Sequence, residues 1–273
     1  MDKNEVQKLE QKCKHIRWLI MDEIGKLGVG HVGGCLSAVE ALVVLYHKVM
    51  NINPDDPQME GRDRFVMSKG HAGPAVYAVL ADRGYFDVSE LDTLNKPETR
   101  LPSHCDMLKT RGIDMTAGSL GQGISCAVGM AKASKIKKDN AYIYAMVGDG
   151  ESQEGQVWEA SMAAAQFKLN NLIAFTDNNK MQIDGNTKHI VSVEPLTEKW
   201  KAFGWNVISV DGHDVEQIYD AVLEAKKSEV KPTMIILDTI KGKGVSFIEA
   251  MGYKNHSTPI TEEQRIMALK ELE

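Results

Sequence analysis

AYIYAMVGDG at residues 141–150 and LIAFTDNN at residues 172–179 decide the fold. Each is an apolar run ending in small or oxygen-bearing residues, Gly148-Asp149-Gly150 in the first and Asp177-Asn178-Asn179 in the second. Strands buried on both faces read this way. Between them, residues Gln156 to Phe167 carry helical spacing, so the stretch is a βαβ unit with a right-handed crossover. Working outward, strand-like runs recur at Trp205 to Asp211 and Thr233 to Thr239, with a helical pattern at Val215 to Ser228 between them. Upstream, apolar residues at helical spacing run from Val6 to Leu27, and Ser37 to Glu40 reads as a capping box opening a helix through Val49. Asn51 to Asp63, with Pro54 and Pro57, is loop; Phe65 to Met67 is a short strand, and a helix runs from Pro74 to Arg83. Lys96 to Gly118 has no period, and such a long irregular segment in a compact domain points to function. GSLGQG, residues 118–123, opens a helix to Lys137, and Thr261 to Leu272 closes the chain with another. The expectation is an α/β fold, a mainly parallel sheet flanked by helices, as a single domain over residues 1–273.

Composition narrows the function classes. The 273 residues are 43% hydrophobic, which places the chain among globular proteins. A net charge of −6, with no basic cluster beyond short runs such as Lys135 to Lys138, speaks against nucleic acid or an acidic membrane as partner. The apolar runs are far below the ~18 residues a membrane span needs, and the N-terminal residues lack a signal-peptide core, so a cytoplasmic location is expected. The four cysteines, Cys13, Cys35, Cys105 and Cys126, never form a CxxC pair and read as reduced thiols.

If the two defining strands are neighbours, Asp149 and Asn179 meet at the carboxyl edge of the sheet, where open α/β folds place their ligands. Both offer oxygen, the donor type of Mg²⁺ or Ca²⁺, and Mg²⁺ is commonly shared between a few protein oxygens and a phosphate. Gly150 lets a phosphate approach the backbone. Either turn alone is an ordinary turn; together, at one βαβ spacing, they point to a metal–phosphate site. Gly28-Val29-Gly30-His31-Val32-Gly33 matches the dinucleotide fingerprint but follows a helical pattern rather than a strand, so a nicotinamide enzyme is disfavoured. No Walker lysine motif occurs. Four histidines, His31, His71, His104 and His256, stand in glycine-rich or irregular context and suit proton transfer or hydrogen bonding to hydroxyls and phosphates. His15, His47, His189 and His213 lack that context and read as structural, while Asp2 to Glu10 and the C-terminal helix read as solvated faces.

The ordered set GHVGG, SKGHAG, GSLGQGISCAVGMA, GDGESQEG, TDNNKMQIDG, KGKGVSF and NHSTP resembles the thiamine-diphosphate-binding N-terminal half of transketolases, over about residues 15 to 260. The resemblance implies thiamine diphosphate with Mg²⁺, or Ca²⁺ in its place, the metal held by Asp149, Asn179 and the carbonyl of Met181. It implies diphosphate contacts from His71, Gly150 and His256, with Gly148 in the same turn. Gly118 and Leu120 would face the aminopyrimidine and Ile183 the thiazolium, while Glu154 and Glu159 match acidic residues that meet across a dimer interface. The four histidines correspond to those around the sugar donor, with His31 and His104 on donor hydroxyls and His71 or His256 assisting proton transfer. Val32, Ser119 and Ser103-His104-Cys105 depart from the family's commoner Pro, Pro and Gly-His-Pro. The implied reaction moves a two-carbon ketol unit from a ketose phosphate to an aldose, as in the pentose phosphate pathway. Transketolases have further pyrimidine-binding and C-terminal domains, for which Ile240 to Glu273 leaves no room. The expectation is therefore the N-terminal subunit of a split transketolase, assembled as two copies of each chain and active only with a C-terminal partner subunit. The sugar, ordinary, sulfonated or branched, stays open. The competing readings are an enzyme of the deoxyxylulose-phosphate synthase type, with the same cofactor, and a non-catalytic nucleotide- or metal-binding module.

Overall fold

The structure is a computed structural model describing residues 1–273. The helices are α1 (Lys3–Leu27), α2 (Val32–Leu36), α3 (Val39–Val44), α4 (Gly73–Asp82), α5 (Gln122–Lys137), α6 (Gly155–Gln166), α7 (Thr187–Ile190), α8 (Leu196–Ala202), α9 (Val215–Ala225), α10 (Ser246–Ala250) and α11 (Glu262–Glu271). The strands are β1 (Val29–Gly30), β2 (Arg64–Met67), β3 (Ile143–Gly148), β4 (Leu172–Asn178), β5 (Met181–Gln182), β6 (Gly185–Asn186), β7 (Asn206–Asp211), β8 (Thr233–Asp238) and β9 (Thr258–Pro259). Strands β2, β3, β4, β8 and β7 form, in that order, one sheet in which every pairing is parallel.

Alternation along the strands divides the core. Phe65, Met67, Tyr144, Met146, Ile173, Phe175, Ile235 and Leu237 point to the face covered by α1 to α4 and α9. Val66, Ile143, Ala145, Val147, Leu172, Ala174, Met234 and Ile236 point to the other, under α5, α6 and α8. Helices on both faces explain why the central strands carry continuous apolar runs. The edge strand β7, half-exposed along its length, does not.

Parallel strands bring their carboxyl ends to one edge. Gly148 pairs with Asp177, so the turn after β3 and the turn after β4 lie side by side, as the βαβ reading requires. Ser68 to His71 follow β2 at the same edge, and Thr239 to Lys241 follow β8. The irregular segment before α5 stays irregular and delivers His104 and Gly118.

Three local expectations are corrected. The capping box at Ser37 to Glu40 does not form: α3 starts from Ala38 without a side-chain cap, and the chain passes into a π-turn at Leu45–Val49 instead of one helix. Ser37 and Glu40 are buried, and deeper partners take them; Ser37 Oγ donates to Asp177 Oδ2 at 2.6 Å, and Arg17 Nη2 donates to both Glu40 oxygens. The C-terminal helix is not merely a solvated face. Its Ala268 is buried, its Arg265 donates to Asp22 on α1, and the Arg265 methylenes fill the space beside Gly25. The first helix begins at Lys3, with Asp2 as a capping-box N-cap, and Leu9 is already buried. The glycines at 28 to 33 serve packing: Gly28 ends α1 in the left-handed region, and a Cβ on Gly33 would lie 1.9 Å from Asn255 Oδ1.

Candidate active site

A cavity of about 220 Å³ lies at the carboxyl edge of the sheet. His71, Leu120, Gly148, Asp149, Gly150, Glu154, Asn179, Met181, Ile183 and His256, all expected site residues, line it. His31 and His104 do not line it, but they join its rim. The His31 ring lies 5.2 Å from His71, 5.4 Å from His256 and 5.7 Å from His104, and His71 lies 4.9 Å from His256. Gly118 also stands outside the lining, exposed. A Cβ there would meet nothing within 4 Å and its backbone is not left-handed, so the fold itself does not ask for glycine at that position. A larger hollow of about 480 Å³, over Glu90 to Arg100, contains none of the candidate residues.

At the floor, Asp149 Oδ1 accepts from the Gly150 amide at 2.8 Å, whereas Oδ2 is buried and has no partner in the chain. Burial, and then the charge of Asp177, push the Asp149 carboxyl up to about 7. An anionic oxygen held dry and unpaired is costly unless a cation meets it. Asn179 Oδ1 accepts from the Met181 amide at 3.1 Å, and both residues line the cavity with Asp149. A carboxylate, a carboxamide oxygen and a main-chain carbonyl form a hard-oxygen set, so these residues fit a divalent cation shared with a diphosphate. Gly150 suits the same purpose, since a Cβ would lie 2.8 Å from Gln182 Cβ and close the turn.

Two lysines were not anticipated. Lys69 and Lys241 both line the cavity and are otherwise almost wholly buried. Lys69 Nζ donates to Asp177 Oδ2 at 2.6 Å and to the Gly34 carbonyl at 2.7 Å. Lys241 Nζ lies 2.9 Å from His256 Nδ1, and burial, reinforced by Lys69, draws its ammonium down to about 8. Their signal was their place in SKGHAG and KGKG, where a cation in a glycine-rich turn at a sheet edge suits a phosphate. All four rim histidines are held below the usual imidazole range, chiefly by burial, and His256 falls to about 3. They therefore work as neutral hydrogen-bonding groups. Because Lys241 occupies His256 Nδ1 as a donor, His256 presents Nε2–H elsewhere.

Two buried carboxylates tie these turns together. Asp177 accepts from Ser37, Lys69, Asn179 and Thr239; burial opposes its charge, but Lys69 and these donors hold it below the usual carboxylate range. Glu151 accepts from Ser68 Oγ at 2.5 Å, the Gly121 amide at 2.9 Å and the Gly148 amide at 3.0 Å, joining the turn after β2, the GSLGQG loop and the turn after β3.

Residues 9–272 match the family described as transketolase, thiamine diphosphate binding domain. The chain belongs to the transketolase family. It is 56% identical over 265 residues to a 6-deoxy-6-sulfo-D-fructose transketolase subunit of Clostridium sp. strain MSTE9, covering 97% of this chain and 96% of that one. It is 38% identical over 268 residues to an apulose-4-phosphate transketolase subunit of Phocaeicola vulgatus, covering 98% and 95%. A solved transketolase from Pichia stipitis superposes with a TM-score of 0.91 at 33% identity, over 97% of this chain and 41% of that one. The chain thus spans about two fifths of that transketolase and nearly all of the two subunits. These likenesses favour a transketolase-family enzyme over the deoxyxylulose-phosphate synthase type and over a non-catalytic module. No helix is long and apolar enough to cross a membrane.

Proposed function

We propose that this chain is the diphosphate-binding subunit of a two-chain transketolase, which moves a two-carbon ketol unit from a ketose carrying a terminal anion to an aldose. The observation that carries the reading is the dry, unpartnered Asp149 Oδ2 in a cavity that Asn179, Met181, two lysines and two histidines also line. Asp149, Asn179 and the Met181 carbonyl would hold Mg²⁺, with Ca²⁺ as its substitute, and His71, Gly150, His256, Lys69 and Lys241 would meet the diphosphate. Thiamine diphosphate, when bound, supplies a carbon nucleophile for a ketose carbonyl. The chain's own residues then do three things. Gly118 and Leu120 would leave room for the aminopyrimidine, Ile183 would give the thiazolium an apolar wall, and the neutral rim histidines would offer N–H groups and bare nitrogens to the donor's hydroxyls. His71 and His256, the two rim histidines on the cavity lining, would assist as neutral imidazoles, relaying a proton by accepting at one nitrogen and donating from the other.

The wall is incomplete: Ile183 is 58% exposed, and Gly118 and Glu154 are exposed as well. A partner subunit carrying a pyrimidine-binding domain would close it, with Glu154 and Glu159, both exposed, at the junction. Closed two-fold symmetry favours two copies of each chain. The test mixes the purified chain with its matching C-terminal subunit, Mg²⁺ and thiamine diphosphate, and offers fructose 6-phosphate or 6-deoxy-6-sulfofructose with an aldose phosphate. Ketol transfer from either is expected, with the sulfonated donor preferred on the strength of the 56% identity to a subunit named for it. Pyruvate decarboxylation without ketol transfer would overturn the reading.

A further inference from the structure

The segment Ile240 to Lys243, which carries Lys241 into the cavity, is gripped from behind by elements that contribute nothing to the cavity lining. The Ile240 amide donates to His213 Nε2 at 2.8 Å. That bond requires a bare Nε2, so the ring's proton sits on Nδ1, which donates to Glu40 Oε2 at 3.1 Å. Glu40 is buried on α3 and is held by Arg17 Nη2 at 2.6 and 2.8 Å. Arg17, buried on α1, turns its Nε to the Lys243 carbonyl at 2.8 Å. The chain of bonds leaves the segment at Ile240, passes through His213, Glu40 and Arg17, and returns at Lys243. Lys241, between the two grips, has its own carbonyl tied by Asn255 Nδ2 at 3.2 Å, and Gly242 donates to the Gly33 carbonyl. Only its side chain remains to be directed, toward His256.

We propose that His213 is a positioning residue: with Glu40 and Arg17 it clamps residues 240–243 so that the Lys241 ammonium stands at the phosphate end of the cavity. The inference rests on the cofactor reading only for what Lys241 meets; the clamp itself is a property of the chain alone. A buried charge pair at the centre suits the purpose, because removing either partner is costly and its geometry is therefore hard to loosen. His213 is the replaceable member. Gln can accept through Oε1 and donate through Nε2 as the imidazole does, whereas Ala can do neither.

Hydrogen exchange on the full chain tests the clamp without cofactor. His213→Ala should lose protection at 240–243 while β8 amides at 233–238 keep theirs, and His213→Gln should retain protection at both. Calorimetry with thiamine diphosphate, Mg²⁺ and the partner subunit tests its purpose. His213→Ala should weaken cofactor binding about tenfold, the scale of one displaced hydrogen bond, and His213→Gln should restore most of it. If His213 acts through Lys241, the loss in the double variant His213→Ala, Lys241→Met should equal that of Lys241→Met alone. Unchanged protection in His213→Ala, failure of Gln to rescue it, or additive losses in the double variant would each overturn the proposal. If the unaltered chain and partner bind no cofactor, the proposed function falls, and the clamp is judged by exchange alone.

Discussion

Asp149 is held in a state that folding disfavours. Its carboxyl, 1% exposed, is raised to about 7 in the folded chain. Below about pH 3 it is protonated whether folded or not and costs nothing; above that the unfolded chain ionises more readily, and the cost grows until pH passes 7. Asp149→Asn should therefore stabilise the chain without cofactor at pH 8 by about 4 kcal/mol and leave it nearly unchanged at pH 3.5, by urea melts at each pH. The same change should abolish Mg²⁺-dependent binding of thiamine diphosphate. In the unaltered protein, a cation must displace a proton from Asp149, so metal affinity should rise as pH increases through 7, and a flat profile between 6 and 8 would count against this role. The rim histidines separate by position. His104 stands off the cavity lining, 5.7 Å from His31. His104→Ala should cost turnover with donor about a hundredfold while cofactor affinity stays within about twofold. His71→Ala, on the lining, should lower both, and equal losses of cofactor binding in the two variants would contradict the placement of His104.

Elements decide which glycines serve the fold and which serve a ligand. Gly33→Ala drives a methyl into Asn255 and should destabilise the chain by about 2 kcal/mol. Gly118→Ala meets nothing, should leave stability within about 0.5 kcal/mol, and should still weaken cofactor binding several-fold. Thermal melts and calorimetry on both variants check the contrast. The elements were largely legible: β3 and β4 from their apolar runs, and the neighbourhood of Asp149 and Asn179 from one βαβ spacing. Ser37 and Glu40 misled because a capping pattern cannot announce that both residues are buried and that Asp177 and Arg17 outcompete the helix end. Lys69 and Lys241 escaped because lone lysines in glycine-rich turns resemble solvated ones. Asp177 was hidden more deeply, as the last buried residue of a strand whose partners Ser37, Lys69 and Thr239 come from three distant stretches.

At the scale of the whole molecule, the sheet supplies a floor and one wall, and the exposed Ile183 and Gly118 mark the side left open. The chain alone should bind thiamine diphosphate weakly and turn over no sugar. Adding the partner subunit should create activity in a particle of two copies of each chain, measured by light scattering alongside a ketol-transfer assay; ordinary turnover by the chain alone would refute this. The open side has a further consequence. A ligand lodged between two bodies is gripped by both, and linkage is reciprocal: by whatever factor the second chain tightens the cofactor, the cofactor tightens the second chain. The vitamin-derived ligand would then act as mortar as well as reagent. In a thiamine-starved cell the loss would reach beyond catalysis to the assembly itself, with the two chains drifting apart until supply returns.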